Sequence, residues 1–173
     1  MKTFRLSLVL IAVGFLLIGV SPVSAQDTSA QASVPTTENL SVSTIIQLAR
    51  ARRATARYKD LARAEADGYV NIETSEEGEG LHYVNFSLVD ATFDPEHPEV
   101  LLYARLPGKQ CLELVAVEYV VPLSLSSGPP EGFSGHHDVW RRDSEGLGLW
   151  ELNAWIWLHN PNGIFAFLNP RVP

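Results

Sequence analysis

The sequence predicts an α+β domain in which a long N-terminal helix packs on a curved, mostly antiparallel sheet of about five strands. Three observations lead there. Residues 43–67 carry an apolar stripe at helical spacing with no Gly or Pro. From residue 69 onward, short apolar runs alternate with clusters of Gly, Pro, Asn and Asp, the pattern of strands and turns. Residues 150–170 hold three of the four tryptophans and two phenylalanines, enough aromatic area for a core to close around. A helix followed by a run of strands, rather than alternating with them, is the order of an α+β fold.

Residues 1–25 read as a secretory signal. Lys2 and Arg5 precede an apolar run over 6–20, and Val23-Ser24-Ala25 offers small residues for cleavage before Gln26. The run has 15 residues, short of the ~20 that span a bilayer. The expected address is therefore secreted or periplasmic. Residues 26–42, rich in Gln, Ser, Thr and Ala, read as a disordered linker, and 43–173 as one domain. Without the signal, 20 acidic residues face 11 basic ones, a net charge of −9. That balance argues against nucleic acid as a partner and against adhesion to an anionic membrane once the signal is removed. Cys111 is the only cysteine, so no internal disulfide forms; its place at the start of an apolar run suggests a buried, inert thiol.

In the helix, Ser43 is a candidate N-cap and Gly68 a left-handed stop. Ile45, Leu48, Ala51, Thr55, Tyr58 and Ala62 form the stripe. Arg50, Arg52, Arg53, Arg57, Lys59 and Arg63 form a solvated face, with Asp60–Arg63 and Arg63–Asp67 pairs at helical spacing. Strands are expected at 69–73, 81–86, 100–105, 111–121, 149–158 and 164–168. The acidic stretch 74–80 (TSEEGEG) reads as a solvated turn, since it lacks the alternating oxygen ligands of a calcium loop. Pro107-Gly108 suits a type II turn joining two strands. Residues 123–135 and 136–148 read as polar loops.

Alternation along the strands singles out polar residues in apolar rows. Leu112, Leu114, Ala116, Glu118 and Val120 share a face, which leaves Glu118 as the one charge in that row. His82 sits with Val84 and Phe86, and Asn153 with Leu149, Glu151, Trp155 and Trp157. Buried polar groups need partners, so these three are the candidate site. The leading expectation is a small-molecule binding module. Its pocket is lined by Trp155, Trp157, Tyr83 and Phe86, with His82, Glu118 and Asn153 fixing the ligand. The alternative is an enzyme using Glu118 as base with His82, or a divalent metal held by His82, Glu118 and His136. No HExxH, GxSxG or phosphate-cradling glycine loop is present.

LHYVN at 81–85, DPEHPEVLLY at 94–103, VEYVVP at 117–122 and WIWLHNPNGIF at 155–165 together resemble a family of uncharacterised small secreted bacterial proteins. The resemblance spans residues 54–172 and implies no activity. It does imply a histidine at the position of Asn153, which with His82 and Glu118 would make a two-histidine, one-carboxylate set suited to Zn or Fe. This chain departs from the pattern at that position, and an amide is a poor ligand for those ions.

Overall fold

A computed structural model describes residues 39–135, 137–143 and 146–173, all within the compact unit Pro35–Pro173. The expected signal and most of the expected linker lie outside the described residues, as does His136. Among the described residues no helix is long and apolar enough to cross a membrane.

The sheet, not a helix, dominates the domain. Six strands run β1 (Val70–Glu76), β2 (Gly80–Val84), β3 (Val100–Ala104), β4 (Glu113–Pro122), β5 (Arg141–Arg142) and β6 (Leu149–Ala154). Their spatial order is β1-β2-β3-β4-β6-β5, and every neighbouring pair is antiparallel. The expected long helix is replaced by three short pieces: α1 (Val42–Thr55), a 3₁₀ turn (Ala56–Lys59) and α2 (Leu61–Ala66). This corrects the expected fold class, in which one long helix covers about five strands.

The break has local and tertiary causes. Asp60 is extended at φ −90° and ψ 103°, and its carboxylate accepts from the Ala62 amide at 3.2 Å, so it caps a new helix rather than continuing the old one. The Tyr103 hydroxyl, reaching up from β3, donates to the Tyr58 carbonyl at 2.5 Å. The sheet thus takes a carbonyl that a continuous helix would have used internally. The cap at the start is Ser41, which accepts from the Thr44 amide, rather than Ser43. The buried residues of these pieces are Thr44, Leu48, Ala51, Thr55, Tyr58 and Ala64, while Ile45 stands exposed. Gly68 does adopt the left-handed conformation, at φ +97°.

Two apolar clusters flank the sheet. Leu48, Ala51, Tyr58 and Ala64 pack with Tyr83, Leu101, Tyr103, Val117, Tyr119, Leu152 and Ala154 on the helical face. Val84, Val100, Leu102, Ala116, Val120, Trp155 and Val172 pack on the opposite face. Strand register shows why His82, Glu118 and Asn153 belong to this second face. His82 lies opposite Leu102, Leu102 opposite Ala116, and Glu118 between Val100 and Asn153.

A register shift at Leu102/Tyr103 alters the parity of β4. Leu114 pairs with Tyr103 and joins the helical-face cluster, whereas Ala116, beyond the irregularity, pairs with Leu102 on the other face. The expected row running from Leu112 to Val120 is therefore split. The aromatic strand also ends at Ala154, earlier than expected, and residues 164–168 form no strand. They return as a coil: Ile164 and Phe165 pack with the helical-face cluster, and Ala166 and Phe167 then reach residues of the second face. The Asn169 amide donates to the Gly78 carbonyl at 2.7 Å, and the Trp155 indole donates to the Ala166 carbonyl at 2.5 Å. Both Asn-Pro pairs serve this return: Asn160 donates to Leu168 O, and Asn169 accepts from the Arg171 amide. Cys111 is an exposed thiol, because the strand begins after it, at Glu113.

Candidate metal centre

Three ionisable side chains meet between the second face of the sheet and the returning C-terminal segment. His82 projects from β2 and Glu118 from β4. Glu79 comes from the turn between β1 and β2. His82 Nε2 stands 3.5 Å from Glu118 Oε2 and 3.6 Å from Glu79 Oε2. One ligand atom from each residue lies within 4.8 Å of the others. The side chains of Glu79 and Glu118 are 4% and 3% exposed, and His82 13%, so only the imidazole edge reaches solvent.

The backbone around Glu79 explains how a turn residue is driven inward. Gly78 and Gly80 flank it at φ +88° and +96°, a conformation side-chain-bearing residues rarely adopt. Gly80 is pressed against β3, and a Cβ placed there would lie 2.5 Å from the Tyr103 carbonyl oxygen. The carboxylate is then held from the other side. Asn153 Nδ2 donates to Glu79 Oε1 at 3.2 Å and to the Phe167 carbonyl at 3.0 Å. Asn153 is itself 3% exposed, and its Oδ1 has no hydrogen-bond partner among the described residues.

Charge accumulates beside the centre. Glu151, two residues before Asn153 on the same face, pairs with Arg141 at 3.2 Å, and Arg141 stacks on the Phe167 ring. Three carboxylates thus gather with Arg141 as a permanent cation beside them. Burial, reinforced by Glu79 and Glu151, pushes the Glu118 carboxyl up to about 8, against the opposing pull of His82. Burial likewise raises Glu151 to about 7, although Arg141 opposes the rise. The helical arginines play no part here. They lie on the other side of the sheet, where Arg52 and Lys59 bracket the Trp157 ring at 4.2 and 4.4 Å and Arg57 pairs with Asp67.

Of the residues read from the sequence, His82, Glu118 and Asn153 come together. Of the aromatic ones, Trp155 lies on their side of the sheet, and Tyr83, Trp157 and Phe86 do not line the site. Tyr83 faces the helical cluster by strand alternation, with its ring edge-on to Tyr103. Trp155 is buried in the second cluster, whereas Trp157 lies past the strand end and donates to Thr55 Oγ1 on the helical side. Phe86 is exposed. His136 lies outside the described residues, and His137 is exposed.

Sequence reasoning missed Glu79, placing it in a solvated turn. The available signal was the Gly-Glu-Gly triplet three residues before His82, since paired left-handed glycines fold a turn back on its own strand. It also missed Glu99, buried on the approach to β3, where its Oε2 accepts from the Val120 amide at 3.2 Å.

Comparison with protein-family models, with curated proteins and with solved structures gives no match. The reading of this centre rests on its own chemistry.

Proposed function

We propose that this is an exported binding module whose ligand is a divalent metal ion, held by Glu79, His82 and Glu118. The observation that carries the reading is the spacing around His82 Nε2. Direct hydrogen bonds from an imidazole to a carboxylate close to about 2.7–3.2 Å. Here both carboxylates stand off at 3.5 and 3.6 Å. Four ligands at ~2.0–2.2 Å from a shared ion lie about 3.3–3.6 Å apart along the edges of a tetrahedron. The two separations from His82 therefore match the edges of a coordination shell better than direct hydrogen bonds.

Electrostatics supports the same conclusion. Two carboxylates buried side by side repel each other, and each loses hydration that a lone imidazole restores only in part. A dication placed among them satisfies both at once. The near-complete burial of Glu79 and Glu118, with Asn153 bonded to the Phe167 carbonyl beside them, suits an ion better than an organic ligand.

Purified protein stripped by chelator and then titrated with Mn²⁺ or Zn²⁺ tests this reading. One ion per chain should bind, and unfolding should shift by about 2.7 kcal/mol at a hundredfold excess over Kd. Glu118→Gln and His82→Ala should each abolish the shift while leaving a cooperative transition. An apo-protein indifferent to both ions, or variants that keep the shift, would remove the proposal.

A further inference from the structure

Resting on that metal reading, we infer that Asn153 supplies its amide oxygen as a fourth ligand, making the centre an oxygen-rich site for a hard or borderline divalent ion such as Mn²⁺. Three observations converge on this residue. Asn153 pairs directly with Glu118 across β4 and β6, so the two side chains emerge side by side on the same face. Its amide is fixed by two bonds from one end only: Nδ2 donates to Glu79 of the cluster and to the Phe167 carbonyl. The other end, Oδ1, is buried and has no hydrogen-bond partner among the described residues.

A buried carbonyl oxygen left in that state costs about 1–3 kcal/mol, so a fold that keeps it there calls for a use. The two terminal atoms of an amide share one carbon. With Nδ2 at 3.2 Å from a Glu79 oxygen and Asn153 paired across the strands with Glu118, Oδ1 lies within an amide's width of that contact. A cation is the partner that an oxygen in this position lacks. Because Nδ2 is already engaged, the same amide can orient Glu79 and present its oxygen without turning over.

The donor set then consists of two carboxylates, one amide oxygen and one imidazole nitrogen. Carboxylate and carbonyl oxygens suit Mg²⁺, Ca²⁺ and Mn²⁺, while imidazole suits later transition metals. Mn²⁺ accepts both kinds of donor. Asn153 is thus the residue that sets the oxygen content of the shell, and with it the class of ion.

Mn²⁺ binding to the chelator-stripped full chain, followed by the loss of the free-ion electron paramagnetic resonance signal, gives the test. Asn153→Leu has similar volume and no oxygen; it should weaken Mn²⁺ binding on the order of 10- to 100-fold. Asn153→Asp keeps an oxygen but gives up the donor to Glu79, and it should bind Mn²⁺ at least as tightly as the native chain. If Asn153→Leu binds like the native protein, the fourth-ligand assignment is wrong while the three-residue centre stands. An Asn153→Asp variant as weak as Asn153→Leu would reduce Asn153 to a residue that positions Glu79, again overturning the assignment. Native protein that takes Zn²⁺ but not Mn²⁺ would overturn the oxygen-rich class alone. Protein that takes neither would overturn the centre itself.

Discussion

At the scale of single residues, the domain tolerates an unusual density of buried acid. Glu79, Glu99 and Glu118 are each 3% exposed. Glu99 is not part of the candidate centre and reports on the cost of such burial independently of it. Desolvation drives its carboxyl up to about 8, and Asp90 and Asp94 add to the rise. The Glu99 and Val120 amides oppose it, and the hydroxyls of Tyr69 and Tyr119 feel its charge in turn. The consequence for stability has a definite sign. Between the ordinary carboxylate value of 4.5 and about 8, the folded chain keeps a proton that the unfolded chain has released. Stability contributed through Glu99 is therefore whole below pH 4.5 and falls as pH rises toward 8. Chemical denaturation of metal-free protein at pH 5 and pH 8.5 should show the native chain losing more stability across that interval than Glu99→Gln. Parallel losses in the two proteins would mean that Glu99 ionises normally in the fold.

At the scale of elements, the turn between β1 and β2 bears the most constraint. Gly80 combines a left-handed φ of +96° with a carbonyl oxygen 2.5 Å from where a Cβ would sit. Gly80→Ala should therefore destabilise the domain by about 2–4 kcal/mol, from backbone strain and overpacking against β3 together. The same substitution at Gly108, where nothing lies within 4 Å of the added carbon, should cost only the strain of its positive φ. Urea midpoints for the two variants make the comparison, and equal costs would contradict the account of this turn. Elements also show where the sequence was readable. The Pro107-Gly108 turn joins two strands as its residues imply, with Gly108 at φ +77°. Gly68 ends its helical segment for the same kind of local reason. The long helix was readable only in part: Asp60 caps its second piece locally, but Tyr103, a residue 45 positions away, also takes the Tyr58 carbonyl. The parity of β4 was legible only as far as the irregularity near Val115, which no propensity marks. Beyond that point Ala116, Glu118 and Val120 do share a face, and this is why Glu118 could be found.

At the scale of the whole molecule, the centre is made by three distant parts of the chain closing on one sheet face. β2 and its preceding turn provide His82 and Glu79, β4 provides Glu118, and β6 provides Asn153. The C-terminal return then covers them, tied at Asn169 to Gly78 and through Phe167 to Asn153. Sequence alone identifies His82, Glu118 and Asn153 as polar residues in apolar strands, since that judgement needs only period-two alternation. It does not identify the aromatic residues' destinations, because Trp155 and Trp157 diverge where β6 ends and the chain turns. Nor does it identify Glu79, whose inward direction depends on two left-handed glycines and a hydrogen bond from β6. The covering segment makes the site compact, which favours the proposed ion over an organic ligand. Crystals grown with Mn²⁺ and, in parallel, with Zn²⁺ and measured for anomalous scattering examine the central claim most directly. The account expects a single strong peak about 2.0–2.3 Å from His82 Nε2 and from one oxygen each of Glu79 and Glu118. A peak elsewhere on the domain, or none with His82 drawn into direct hydrogen bonds with both carboxylates, would contradict it.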